Sequence, residues 1–213
     1  MSDAFYRAVR FVGRSAFAVS GRPVVIGAEH TDRAGAYLLA ANHQSPYDVP
    51  LLIRHGRRQI DFVSSVEVFR HPLVAWFYGS MNAFPLDRSR PDSPAVRRIL
   101  DRLSQGRCVG IFPEGGFRRG RASVVHSLRT RPGAGRIARL ANVPIVPAVL
   151  IGTGGYSRPG AWLPLRRTRY GLIFGPPIAP SSDAEATDRL LAQTLAELHV
   201  ELAAKLGRSI PDT

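Results

Sequence analysis

From Gly21 onward, short apolar runs alternate with stretches of helical periodicity, and this alternation restricts the chain to an α/β architecture. The apolar runs at 23–26, 37–41, 60–63, 82–85, 108–112, 145–151 and 170–174 predict strands. The spacing between and after them predicts helices over 46–55, 72–78, 94–105, 133–142 and 184–206. The expected fold is a central, mostly parallel or mixed twisted sheet flanked by helices. Several helix ends are readable. Ser93 before Pro94 reads as an N-cap followed by proline at the first helical position, and Gly106 closes that helix. Ser182 with Glu185 fits a capping box for the last helix.

A length of 213 residues suits one domain, and 45% hydrophobic with 21% charged residues excludes a disordered chain. The single cysteine, Cys108, cannot form an internal disulfide, and no cysteine cluster exists for structural zinc. Charge is the unusual bulk property: 29 Lys and Arg stand against 16 Asp and Glu, a net +13, and Lys205 is the only lysine. Such a surplus favours polyanionic partners, whether nucleic acid, phosphorylated cofactors or an anionic bilayer. A GC-rich coding bias explains arginine in place of lysine but not the excess over acids. No helix-turn-helix, RNA-recognition or zinc motif accompanies the charge, so no nucleic-acid partner is expected.

No run approaches the roughly 20 apolar residues of a membrane-spanning helix, and Arg7, Arg10 and Arg14 interrupt any secretory signal near the start. The segment 1–21 is nonetheless amphipathic. Phe5, Val9, Val12 and Ala16 share one helical face, with the three arginines nearly opposite. That pattern suits a helix lying in a bilayer interface, and equally a surface helix packed on the core. The chain therefore divides into an N-terminal amphipathic, membrane-facing helix (1–21) and a single α/β domain (22–213). Peripheral attachment on the cytoplasmic side of the cell membrane is expected.

The sharpest local signal is Asn42-His43-Gln44-Ser45-Pro46-Tyr47-Asp48. An apolar strand runs directly into His43, while Ser45 and Pro46 offer an N-cap and a first helical residue. Asp48 then falls in the first turn, where its carboxylate can reach His43. A histidine whose second ring nitrogen is fixed by a carboxylate is a competent general base near neutral pH. Ser45-x-x-Asp48 also fits a capping box in which Asp48 complements the helix dipole and His43 is a satisfied loop residue.

Three further blocks follow in order: Phe84-Pro85-Leu86-Asp87-Arg88 after Gly79, Phe112-Pro113-Glu114-Gly115, and Val143-Pro144-Ile145-Val146-Pro147. With the His43-x-x-x-x-Asp48 block they resemble the four signature blocks of the glycerolipid acyltransferases. That group is typified by the 1-acylglycerol-3-phosphate O-acyltransferase (lysophosphatidate acyltransferase) family. The resemblance spans Asn42 to Thr153, about half the chain.

It implies transfer of a fatty acyl group from acyl-CoA or acyl-carrier protein to a lysophospholipid hydroxyl, giving phosphatidate from 1-acylglycerol-3-phosphate. His43 would be the general base and Asp48 its orienting carboxylate, with no acyl-enzyme. Arg88, Glu114, Gly115 and Arg118 would bind the acceptor and its phosphate, and Trp76, Phe77 and Pro147 are candidates for the acyl or donor pocket. Neither a metal nor a resident cofactor is implied; the acyl thioester is a co-substrate, and an anionic membrane surface is the other partner. Family members follow Phe-Pro-Glu-Gly with Thr-Arg-Ser, whereas this chain reads Gly116-Phe117-Arg118-Arg119, so Arg118 stands one position beyond the family's arginine. The departure leaves open another lysolipid or a glycolipid as acceptor. A non-catalytic membrane- or nucleic-acid-binding protein is the remaining alternative, against which the intact His43, Asp48, Arg88 and Glu114 speak.

Overall fold

The structure, a computed structural model, describes residues 3–86, 93–163 and 167–208. In chain order the elements are α1 (Asp3–Ser20), β1 (Gly21–Ile26), β2 (Tyr37–Ala41), α2 (Asp48–His55), β3 (Ile60–Ser65), α3 (Pro72–Ser80) and β4 (Phe84–Leu86). They continue with α4 (Ser93–Ser104), β5 (Cys108–Ile111), α5 (Val124–Ser127), α6 (Ala134–Ala141), β6 (Ile145–Ile151), β7 (Thr168–Phe174) and α7 (Ala184–Lys205). The strands form one sheet in the order β1-β7-β6-β2-β5-β3-β4. All neighbours pair in parallel except β6 with β7, so the sheet is mixed and mostly parallel, within the expected fold class.

The central strands β2 and β6 are buried along their whole length. Both faces of a parallel sheet are covered by helices, which is why these segments read as unbroken apolar runs rather than alternating ones. Alternate residues feed two cores. Leu38, Ala40, Ile145 and Val149 pack against α4, α5, α6 and α7, while Leu39, Ala41, Val146 and Ala148 pack against α1 and α2. Burial of these side chains, each worth about 1.5–3 kcal/mol for the larger ones, is the main stabilising contribution.

Asp61, fully buried on β3, ties the layers electrostatically: Arg102 Nη1 of α4 lies 3.0 Å away, and Arg107 contributes two bonds at 2.5 and 2.8 Å. Two caps differ from expectation. Helix α2 starts at Asp48 rather than Pro46, because the Asp48 carboxylate folds back onto the preceding backbone. Helix α7 is capped by Asp183, whose side chain accepts from Ala186 N at 2.9 Å, in place of Ser182.

Helix α1 does pack on the domain, but not through the expected stripe. Tyr6 and Phe17 are buried, Phe5 and Val9 are half-buried, and Val12 is exposed. The buried face is thus rotated, since the aromatic rings of Tyr6 and Phe17 find partners that Val12 and Ala16 lack. Phe17 meets Tyr156 edge-on at 5.1 Å. At the junction with β1, Gly21 is required: a Cβ there would sit 2.6 Å from Tyr156 Oη. Among the described residues no helix is long and apolar enough to cross a membrane.

Candidate active site

Strands β5, β2 and β6 are adjacent and parallel, so their carboxyl ends open on one edge of the sheet. Open α/β sheets collect ligands at such an edge. There β2 delivers Asn42 and His43, β5 delivers Phe112 to Gly115, and β6 delivers Gly152 and Thr153. Asn42 locks the first of these to the last. Its side-chain amide donates to Leu150 O at 3.1 Å and accepts from Leu150 N at 2.8 Å, extending the β2–β6 ladder by one side chain.

His43 Nδ1 lies 2.9 Å from Asp48 Oδ2. The carboxylate is fully buried and saturated: Oδ2 also accepts from Gln44 N and Ser45 N, and Oδ1 from Thr153 Oγ1 at 2.5 Å, with Ser45 Oγ at 3.2 Å. Asp48 therefore belongs to both readings of the sequence. It caps the turn before α2 and it orients the imidazole. The ring is stacked on Phe112 (centroids 3.8 Å, planes 10° apart) and flanked by Phe117 at 4.3 Å. With Nδ1 committed to Asp48, Nε2 is the nitrogen left to exchange a proton.

Glu114 braces this loop. Oε2 accepts the backbone N–H of His43 at 2.5 Å, and Oε1 accepts Ser123 Oγ and Val124 N, each at 2.7 Å. Burial pushes its carboxyl above the usual carboxylate range, with the three donors pulling the other way. Both oxygens thus bind protein donors, which gives Glu114 a positioning role in this loop. Gly115 adopts φ +68°, and a Cβ there would meet Arg131 Cδ at 2.6 Å, so the close approach expected of this glycine is to an arginine.

Arg118 is exposed, and its backbone N–H donates to His43 O at 2.8 Å. Its neighbours Arg121, Arg129 and Arg131 line, with Glu114, an open basin of about 550 Å³. Arg88 lies outside the described residues.

A second concavity is apolar. About 270 Å³ is enclosed by Phe17, Tyr47, Ile53, Phe62, Tyr78 and Met81, among others, with Arg10 and Arg54 on its wall. The Phe112 ring links it to the site, being stacked between His43 and Phe62, the latter at 5.9 Å.

Two of the aromatic and proline candidates do not line this groove. Trp76 is 62% exposed and packs edge-on against Phe5 at 5.4 Å. Pro147 sits on the opposite face of the sheet, between Ile145 and Val149, where its ring approaches Leu198 of α7 at Gly175. Strand alternation decides this: an odd-numbered residue of β6 faces α7, not α1. The side chain of Phe77 lies outside the described ones, whereas Tyr78 of the same helix does line the groove. Cys108 is buried and its thiol is pushed upward by burial, which fits a core residue and not a nucleophile.

Thr153 was not singled out by sequence. Its only signal is its position just after a buried strand, next to Gly152 in the left-handed conformation (φ +82°).

Residues 22–151, more than half of the chain, match the family model described as Acyltransferase. The 1-acyl-sn-glycerol-3-phosphate acyltransferase of Bacillus subtilis (strain 168) is 26% identical over 174 residues, covering 80% of this chain and 81% of that protein. The chloroplastic 1-acyl-sn-glycerol-3-phosphate acyltransferase BAT2 of Brassica napus is 33% identical over 117 residues, 54% of this chain but only 32% of that longer protein. In structure, the 1-acyl-sn-glycerophosphate acyltransferase PlsC from Thermotoga maritima superposes with a TM-score of 0.75 at 24% identity. The match covers 93% of this chain and 80% of that one, and establishes a common fold. The matched segment carries the imidazole–carboxylate pair and all three strand ends that frame it, and the chain belongs to the Acyltransferase family.

Proposed function

We propose that the chain transfers a fatty acyl group from a thioester to the free hydroxyl of 1-acylglycerol-3-phosphate, forming phosphatidate. The observation that carries this reading is the His43–Asp48 pair at 2.9 Å, set at the sheet's carboxyl edge between an arginine basin and an apolar groove. An alcohol attacks a thioester slowly until a base takes its proton, and positioned proton transfer contributes about 10²–10⁴-fold. In this reading the acceptor oxygen bonds to the thioester carbonyl carbon as its proton passes to His43 Nε2. The C–S bond then breaks, and the proton leaves with the thiolate as free thiol. Asp48 holds the tautomer and stabilises the transient imidazolium. The Arg118 basin takes the acceptor's phosphate through charge-assisted bonds, and the groove takes the acyl chain.

Peripheral membrane attachment is part of the same proposal. Phe11, Val12, Leu73, Trp76, Trp162 and Leu163 are exposed apolar side chains on or beside the helices that wall the groove. A surface of this kind, flanked by arginines, suits the headgroup boundary of an anionic bilayer from which lysolipid is drawn.

The test is direct. Purified protein is incubated with labelled acyl thioester and a panel of lysolipids, beside His43→Ala. Product with 1-acylglycerol-3-phosphate, lost in the variant by a factor of about 10² or more, is the expected result. Product only with an acceptor lacking phosphate would replace the acceptor while keeping the chemistry. Equal turnover by the variant would remove His43 from the reaction. Arg118→Ala and Arg88→Ala should each raise KM for the phosphate-bearing acceptor.

A further inference from the structure

Besides the Arg118 basin and the apolar groove, a larger concavity of about 1130 Å³ opens between β1, β7, the turn after β6 and the loop bearing Arg119. Six arginines line it: Arg22, Arg119, Arg158, Arg167, Arg169 and Arg208. Neither aspartate nor glutamate lines it, and among the described residues none of the six has a carboxylate at ion-pair distance. The folding of the sheet forces this crowding. Arg22 and Arg169 are direct cross-strand partners in the parallel β1–β7 pair, where like charges oppose each other at a cost. Arg208 lies over the backbone of Gly152, so closely that a Cβ there would be 3.0 Å from its Nη2. Arg119 Nε donates to Gln44 O at 3.0 Å, which ties the basin to the residue next to His43.

Uncompensated cations around a concavity are stabilised by an anion, and guanidinium forks suit phosphate oxygens in particular. We infer that this basin seats the nucleotide end of a coenzyme A thioester, its diphosphate and ribose phosphate meeting the six arginines. The inference rests on the acyl-transfer reading above. Within that reading the acceptor's phosphate and the acyl chain already have their own sites, and the donor's carrier end is the part without one. Pro159 and Ala161 add an apolar wall against which a purine can lie. A walled basin suits a small polyphosphate ligand better than the broad acidic face of a carrier protein. Gly152, on the basin's floor, is followed directly by Thr153, which holds Asp48, so the basin ends where the reacting pair begins.

Calorimetric titration of the full chain with adenosine 3′,5′-bisphosphate, in the absence of lipid, tests the site without turnover. Saturable binding that weakens as salt rises is expected, together with competition against acyl-CoA. Arg22→Ala/Arg169→Ala and Arg158→Ala/Arg208→Ala should each weaken that binding, and raise KM for acyl-CoA, by about tenfold or more, while KM for the lysolipid shifts far less. No binding of the bisphosphate to the wild-type chain, or equal binding by both variants, overturns the inference. So does loss of anionic-vesicle binding alone, which makes the basin a headgroup site. A variant defect seen only with acyl-carrier protein as donor also overturns it. Failure of acyl transfer with every acceptor, with bisphosphate binding intact, would instead fall on the proposed reaction.

Discussion

Thr153 Oγ1 donates to Asp48 Oδ1 at 2.5 Å across 105 positions of sequence, and so joins the end of β6 to the carboxylate that orients His43. Thr153→Val removes that donor without changing shape much. With one charge-assisted bond lost, worth about 1.5–3 kcal/mol, kcat should fall by about tenfold or more with KM little changed. Steady-state kinetics decide; an unchanged kcat would mean that Ser45 and the backbone donors hold Asp48 unaided.

Glu114 makes three bonds through two oxygens, and glutamine offers only one acceptor oxygen. The Ser123 hydroxyl can turn to accept from the new amide, but Glu114→Gln must leave the backbone N–H of either His43 or Val124 without an acceptor, at a cost of about 1–3 kcal/mol. The expected outcome is a lower melting temperature together with reduced kcat, read by calorimetry and kinetics on the same preparation. Loss of acceptor binding alone, with wild-type stability, would return Glu114 to a ligand-contacting role.

The triad of Asp61, Arg102 and Arg107 is remote from the chemistry and structural in kind. Asp61→Ala removes the buried carboxylate that both partly exposed arginines share, which should cost about 1–3 kcal/mol in urea denaturation. Specific activity of the fraction that remains folded should be close to wild type.

His199 of α7 is buried against His126, with ring centroids 4.9 Å apart. Burial first, and the neighbouring imidazole second, lower its pKa from the usual 6.5 to about 4. Above pH 6.5 both folded and unfolded forms are neutral there. As pH falls from 6.5 toward 4, the unfolded chain takes up a proton that the folded one refuses, so stability declines across that window. The loss is on the order of 3 kcal/mol at most, and His199→Gln should flatten it in denaturation curves taken at pH 7, 5.5 and 4.5.

Phe11→Asp with Trp76→Asp places charge on the exposed apolar surface without touching the groove. Sedimentation with anionic vesicles should drop sharply, while turnover of detergent-dispersed substrate persists. Undiminished sedimentation would locate membrane contact elsewhere.

Strand and helix identity, a sheet of mostly parallel or mixed strands, and the His43–Asp48 contact were legible in the amino-acid string, whereas strand order and the one antiparallel pair were not. Each legible feature depends on near neighbours: a short unbroken apolar run such as 145–151 between turn signals fits a strand covered on both sides, and only four residues separate the histidine from its carboxylate. Side-chain direction and long-range partnership were not. Pro147 looked like a pocket residue until the pleat of β6 turned it toward α7, and the buried stripe of α1 was chosen by rings elsewhere in the fold. Thr153 and the paired Arg22 and Arg169 gain their meaning only when strands distant in sequence lie side by side. Local pattern is written in spacing, whereas a saturated carboxylate or a crowded ring of guanidinium groups arises from the register of one strand against another, which no single segment encodes.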